Sequence, residues 1–248
     1  ITLPNNPNVC ILGAALSDPT AVDLSGAWNA YGLVVANNQV PNSQGFNGAG
    51  QYYNANYDGS SLGLLASSNS NFDFMQITWG GATFDLGPAP NHRSQSNNRN
   101  GNNNFVQAIG QTIYLPSGEF STLLMIGAAA SQPDPDSPSN PGEALLNQVL
   151  TLKFTDGSTT TWTQTFTDWA NGVPSNNSPP TAAHLAATNE ALVATTTLVN
   201  QLGNNLSGHN RFVYGYSFDI PAGKTLQSIT LPNNIKYFPV GILGMALV

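Results

Sequence analysis

The residues best suited to contact chemistry in this 248-residue chain lie in one short stretch, residues 51–58, which reads QYYNANYD. Tyr52, Tyr53 and Tyr57 supply rings, Asn54 an amide and Asp58 a carboxylate, in a glycine-flanked segment. Rings that stack on the apolar face of a pyranose, beside groups that satisfy its hydroxyls, are the ingredients of a sugar site. Trp28 offers a further ring upstream. Trp28, Tyr52, Tyr53, Asn54, Tyr57 and Asp58 therefore form the candidate ligand-binding set, with core packing as the competing role for the four rings. For Trp79, Trp162 and Phe166, set among threonines in strand-like runs, burial in a sheet is the expectation.

Other chemistries lack their parts. Glycoside hydrolysis needs two carboxyl groups across a cleft, and Glu119, Glu143 and Glu190 all sit in turn, loop or short-helix contexts where solvation is expected. His92, His184 and His209 lie in loop-like or weakly helical surroundings with no matching serine or cysteine signature, and no GxSxG elbow occurs. Asp156-Gly157 has the neighbours of a hairpin turn, not of an aspartic-protease loop. No catalytic residue is predicted, and the protein is read as a non-enzyme. The histidines have no zinc spacing. A structural calcium ion on oxygens from Asp23, Asp58 and Asp168 stays open, and no other cofactor is expected. Cys10, the single cysteine, cannot close an internal disulfide and reads as a small buried hydrophobe.

Composition narrows the partners. A net charge of −7 with only six Lys and Arg provides no cationic stripe for nucleic acid or anionic lipid. The longest apolar runs, residues 123–130 and 240–248, are of strand length, so no membrane insertion is expected and the protein is read as soluble. With 40% hydrophobic residues, a chain this long buries roughly 70–75% of its unfolded surface in one large domain. Poverty in Lys, Glu and Cys beside abundant Asn, Thr, Ser and Gly predicts an extracellular protein, secreted or on the cell surface, with any targeting segment outside residues 1–248. Asn176 and Asn205 stand in glycosylation sequons.

The elements that must position these groups are strands. Alternation and β-branched or aromatic enrichment mark residues 24–35, 75–84, 111–115, 121–129, 149–155, 159–166, 192–199, 211–220 and 225–231. Asp156-Gly157 predicts a tight hairpin, and Pro116-Ser117-Gly118 and Pro221-Ala222-Gly223 are read as joining two further strand pairs in the same way. The only helix expected is short, within residues 182–192. Residues 91–104 and 131–142 are polar loops expected to be exposed. The pattern is all-β, an antiparallel β-sandwich.

A repeat frames the chain. Residues 1–16 read ITLPNNPNVCILGAAL and residues 229–247 read ITLPNNIKYFPVGILGMAL. A period of about 228 residues is the length of a domain, not of a solenoid unit. Residues 1–20 are thus read as a strand that duplicates the closing strand of the domain, and residues 21–248 as the sandwich. The duplicate ends a preceding copy, is a second equivalent strand of the same domain, or is donated to a neighbouring subunit as in extracellular fibres.

The segments DLSGAWNAYGL, GFNGAGQYYNAN, ITWGGATFDLGPA, QTIYLPSGEFSTLLMIGAA, FTDGSTTTWTQTFTDW, FVYGYSFDIPAGKTLQSITLPNN and ILGMAL occur in that order across most of residues 23–248. In this the chain resembles a module attached to secreted bacterial hydrolases, including glycosidases and acid-active peptidases, and present in tandem or stand-alone surface proteins. The resemblance implies a jelly-roll-like sandwich related to carbohydrate-binding and galactose-binding-like modules, and a non-catalytic role in binding polysaccharide or a cell-surface component. The second function it leaves open is a tandem repeat or filament subunit that binds copies of itself through residues 1–16. Asp168-Trp169 matches a frequent feature of such modules and is read as a structural corner, with Asp capping a turn and Trp lying over the sandwich end.

Overall fold

Fourteen strands account for nearly all regular structure in the computed structural model, which describes residues 18–30, 32–34, 51–54, 74–88, 103–130, 144–170, 188–201, 204–233 and 240–248. They are β1 (Thr20–Ala21), β2 (Leu33–Val34), β3 (Gln51–Asn54), β4 (Phe74–Trp79), β5 (Ala82–Pro88), β6 (Val106–Gln107), β7 (Thr112–Tyr114), β8 (Thr122–Ala129), β9 (Leu145–Phe154), β10 (Thr159–Phe166), β11 (Glu190–Gln201), β12 (Asn204–Asp219), β13 (Leu226–Thr230) and β14 (Val240–Leu247). An eight-stranded sheet runs β1-β14-β8-β12-β11-β3-β2, with β6 also on β14, and a four-stranded sheet runs β10-β9-β13-β7.

From β6 onward the chain passes back and forth between these sheets. β6, β14, β8 and β12 come to lie side by side in the larger one, and β7, β13, β9 and β10 in the smaller. This interleaving is the double Greek key of a jelly roll, so the all-β sandwich expected from the sequence is the fold. β11 adds a hairpin partner to β12, and the two strands pair over most of their length.

Alternation explains the core. On β9 Leu150, Leu152 and Phe154 are buried, and on β10 Gln164 and Phe166, while their odd-numbered neighbours face outward. They meet the even-numbered residues of β12. Trp162 stacks on Phe218 with centroids 4.7 Å apart, and Phe166 meets Tyr216 edge-on at 4.8 Å. β8 and β14 do not alternate: nearly every residue of both is buried. The cause is a third layer. Hairpin β4–β5 covers the opposite face of the larger sheet, with Ile77, Ala82, Phe84 and Leu86 at most 1% exposed. Trp79 lies over Gly215, where any Cβ would come within 2.7 Å of the indole. A strand covered on both faces needs a continuous apolar run, which is what residues 123–130 and 240–247 supply.

Several expectations are corrected. Residues 24–35 are not one strand, because Ser25–Ala27 form a single 3-10 turn, Ala30 makes an isolated bridge to Phe105, and Leu33–Val34 form the short strand that follows. Residues 75–84 are two strands, reversed at Gly80-Gly81, whose φ angles of 61° and 82° suit a two-residue hairpin turn. The Asp156-Gly157 hairpin forms, but with Gly157 alone at positive φ: its N–H donates to Phe154 O at 3.0 Å, and Phe154 N–H donates to Ser158 O at 2.9 Å. The Pro116–Gly118 and Pro221–Gly223 segments join no hairpins. The first carries the chain from β7 to β8 and the second from β12 to β13, in each case from one sheet to the other. Thr188 and Asn189 form a turn and Glu190 opens β11, so the expected helix does not extend over residues 188–192; residues 182–187 lie outside the described residues. Asn104, at the end of a loop expected to be exposed, is 0% exposed; residues 91–102 and 131–142 are outside the described residues.

The repeat changes meaning too. Residues 229–230 end β13 in the smaller sheet, whereas 240–247 form β14 in the larger. The C-terminal copy therefore supplies the end of one strand and the whole of another, in different sheets. Residues 1–17 are outside the described residues.

Candidate functional site

Of the candidate set, Trp28 and the backbone of residues 52–54 are described, the latter in β3. Strand β3 is held by the distal half of β11, with Val199 opposite Tyr53, Asn200 opposite Tyr52 and Gln201 opposite Gln51. On its other side β2 pairs in parallel, Leu33 with Tyr53 and Val34 with Asn54. Two residues of parallel pairing are a weak hold, and a buried amide reinforces it. Asn104 Oδ1 accepts from Gly32 N at 2.9 Å and Leu33 N at 3.2 Å, and its Nδ2 donates to Leu33 O at 2.8 Å. With donor and acceptor in one planar group, the side chain acts as a peptide unit of a missing strand. Asn104 stands two residues before β6, which pairs with β14. The path from β14 through β8, β12, β11, β3 and β2 thus returns toward its start through this side chain and through the backbone bridge between Ala30 and Phe105 just before β2.

Trp28 follows the 3-10 turn and is half-buried against the core. Its carbonyl accepts from Asn103 Nδ2 at 3.4 Å, and its buried indole N–H has no acceptor among the described residues. The backbone of Tyr52, Tyr53 and Asn54 lies in β3, beside the strand that follows Trp28. Tyr57 and Asp58 lie outside the described residues.

The acidic groups serve the scaffold. Glu190, expected at the surface, is 7% exposed, at the start of β11 where it lies opposite Tyr216 on β12. Its Oε2 accepts from Thr167 Oγ1 at 2.7 Å, and Thr167 N donates to Tyr216 Oη at 3.2 Å. Burial, and then the Glu190 charge, push the Tyr216 hydroxyl well above the ordinary tyrosine value of 10.0. Asp168 behaves as the expected corner: it is 1% exposed, and its Oδ1 accepts from Ala170 N at 2.7 Å. Trp169 beside it is buried, with the Arg211 guanidinium 4.7 Å from its ring centroid. Asp23 accepts from Ser25 N at 2.8 Å, and that backbone hydrogen bond lowers its carboxyl below the ordinary value. Two of the three calcium candidates thus cap turns, and the third, Asp58, lies outside the described residues. Glu119 is exposed, Glu143 and two of the histidines lie outside the described residues, and His209 belongs to β12 instead of a loop. Described residues contain no group of three or more His, Cys, Asp or Glu able to hold a metal.

A second surface escaped the sequence reading. On the outward face of the smaller sheet, Thr161 pairs with Thr151, Thr151 with Thr230 and Thr230 with Thr112. Four threonines form a row across all four strands, spanning about 14 Å at normal strand spacing. Thr112 and Thr161 are exposed and Thr151 and Thr230 half-buried, with the Thr112 and Thr230 hydroxyls 2.8 Å apart. The adjacent row holds Thr159, Lys153, Ser228 and Tyr114, whose ring is 76% exposed. Val149, 49% exposed, faces Thr163 on the other side. A signal existed, since TTTWTQTF places threonine at 159, 161, 163 and 165, but the cross-strand row needs the register.

Among known families, the model described as AziU2-like beta-sandwich domain matches residues 75–245, from β4 into β14. No curated protein matches the chain.

Proposed function

The chain belongs to the AziU2-like beta-sandwich domain family, and from that premise we propose that it is a non-catalytic extracellular binding module that attaches to polysaccharide or another surface component. The observation that carries this reading is the outward face of the smaller sheet, which combines hydroxyls with the exposed rings and aliphatic groups of Tyr114 and Val149 and no acidic side chain in its paired rows. Such a surface offers hydrogen bonds and stacking, the contacts a sugar takes, with one ammonium, Lys153, and no carboxylate in its paired rows. The buried carboxylates support the non-catalytic part, since Asp168 caps a turn and Glu190 accepts from Thr167 within the sandwich. Retention of the purified chain on a panel of insoluble polysaccharides, with release of soluble sugar followed in parallel, tests the reading. Binding without hydrolysis is the expected result; no retention on any of them, or sugar release, overturns it.

The repeat favours a second reading, a unit of an extracellular assembly. The C-terminal copy supplies the end of β13 and all of β14, so residues 1–16 carry the sequence for the same two strands of another sandwich. Sedimentation of the full chain beside a form lacking residues 1–16 tests it: association that depends on those residues supports assembly, and a monomer at every concentration removes it.

A further inference from the structure

Resting on the binding reading above, we infer that the threonine row Thr112–Thr230–Thr151–Thr161 is the contact surface for a neutral polysaccharide chain lying across the four strands. The geometry of the row carries the inference. Threonines from four adjacent strands stand in register on one face, their backbones at the spacing of strands, about 4.8 Å, with the Thr112 and Thr230 hydroxyls 2.8 Å apart. β-Branched side chains are restricted at χ1, so each hydroxyl is held with little freedom left to lose on binding. Every threonine oxygen both donates and accepts by rotating its hydrogen, which is what a run of sugar hydroxyls of mixed orientation requires.

Charge selects the class of partner. The two paired rows contain one ammonium, Lys153, and no carboxylate. The neighbouring Lys224 is already paired with Asp156. A phosphorylated or sulfated polymer would find too little positive charge, in a molecule of net charge −7, and a cationic one no anion on the face. An uncharged polyhydroxylated chain is what remains complementary. Tyr114, at the end of the adjacent row and 76% exposed, provides the ring on which one sugar stacks.

The test compares the full chain with Thr151→Val/Thr161→Val and with Tyr114→Ala, using microcrystalline cellulose and insoluble chitin as probes. Valine keeps the branched shape and strand preference while removing the hydroxyls, and matching thermal melts establish that each variant is folded. Losing two hydroxyl contacts should weaken retention about tenfold, and losing the stacking ring by a similar factor. Wild-type retention with unchanged retention of both folded variants overturns this inference and leaves the binding reading standing. Absence of wild-type retention on either polymer overturns it as well, and retention on some other polysaccharide would then preserve the broader reading alone. A wild-type dimer that the valine variant abolishes would assign the face to a second copy of the chain and also overturn it.

Discussion

Replacing Asn104 by alanine removes three side-chain bonds to Gly32 and Leu33, which add to the backbone bridge between Ala30 and Phe105 in tying the start of β2 to the chain ahead of β6. The bonds are 2.9, 3.2 and 2.8 Å long, and the side chain is 0% exposed. A typical internal hydrogen bond contributes about 1 kcal/mol net, and a polar group left buried without a partner costs about 1–3 kcal/mol. Three bonds give a loss near 3 kcal/mol, rising toward about 5 kcal/mol if water cannot reach the Gly32 and Leu33 amides. In a domain of this size each kcal/mol moves Tm by about 2–4 °C, so Asn104→Ala should melt about 6–12 °C lower in a calorimetric scan. Hydrogen exchange localises the effect: the Gly32 and Leu33 amides should lose protection first, followed by the amides of β3. Asn103→Ala is the control. Its side chain is exposed and makes one long bond to the Trp28 carbonyl, 3.4 Å, and it should change stability by less than about 0.5 kcal/mol. A fall below about 1 kcal/mol for Asn104→Ala, with Leu33 protection unchanged, would refute the view that this amide helps to close the sheet.

Three further outcomes follow from the same geometry. Gly215→Val forces a side chain into the 2.7 Å gap beneath Trp79 and beside Val193, so urea unfolding should show a loss of about 1–3 kcal/mol with an altered tryptophan emission. Asp156 is held below its ordinary 3.8, first by the Lys224 hydrogen bond and then by Ser158. A depressed carboxyl adds stability above the unfolded value and loses it as pH falls through the folded value. The difference in Tm between wild type and Lys224→Met should therefore be full near neutral pH and narrow below 3.8; a difference that grows in acid would contradict the pairing. Tyr216, raised well above 10.0 by burial and Glu190, should stay un-ionised in an alkaline absorbance titration until the fold opens, whereas Tyr216→Phe should leave the native titration curve unchanged.

Local chemistry made much of the fold legible. The Asp156-Gly157 turn, the strands on either side of it and the apolar runs that became β8 and β14 could all be read in order, since each depends on neighbours in sequence. The remaining elements differ for both local and tertiary reasons. Residues 24–35 alternate well enough for a strand, yet Asp23 binds Ser25 N and turns the chain into a 3-10 turn. Gly80-Gly81 was absorbed into a single run because the residues on both sides share strand character. Glu190 looked solvated, but its burial comes from pairing with Tyr216 and bonding to Thr167, contacts of 26 and 23 residues in separation. The Asp168-Trp169 corner was legible through the resemblance to modules in which this pair is frequent. Of the candidate ligand set, Tyr52, Tyr53 and Asn54 are placed by the pairing of β3 with β11 and with β2, a few residues after Trp28, contacts that no local pattern announces. The threonine row lay furthest from sequence reading, since the Thr112–Thr230 contact spans 118 positions.

The most direct measurement of the account is an NMR titration of the isotope-labelled chain with a soluble neutral oligosaccharide. Shifts concentrated at the amides of Thr112, Thr151, Thr161, Thr230 and Tyr114 are the predicted result. Saturable shifts elsewhere with none at these positions, or a spectrum that does not move at all, would contradict it.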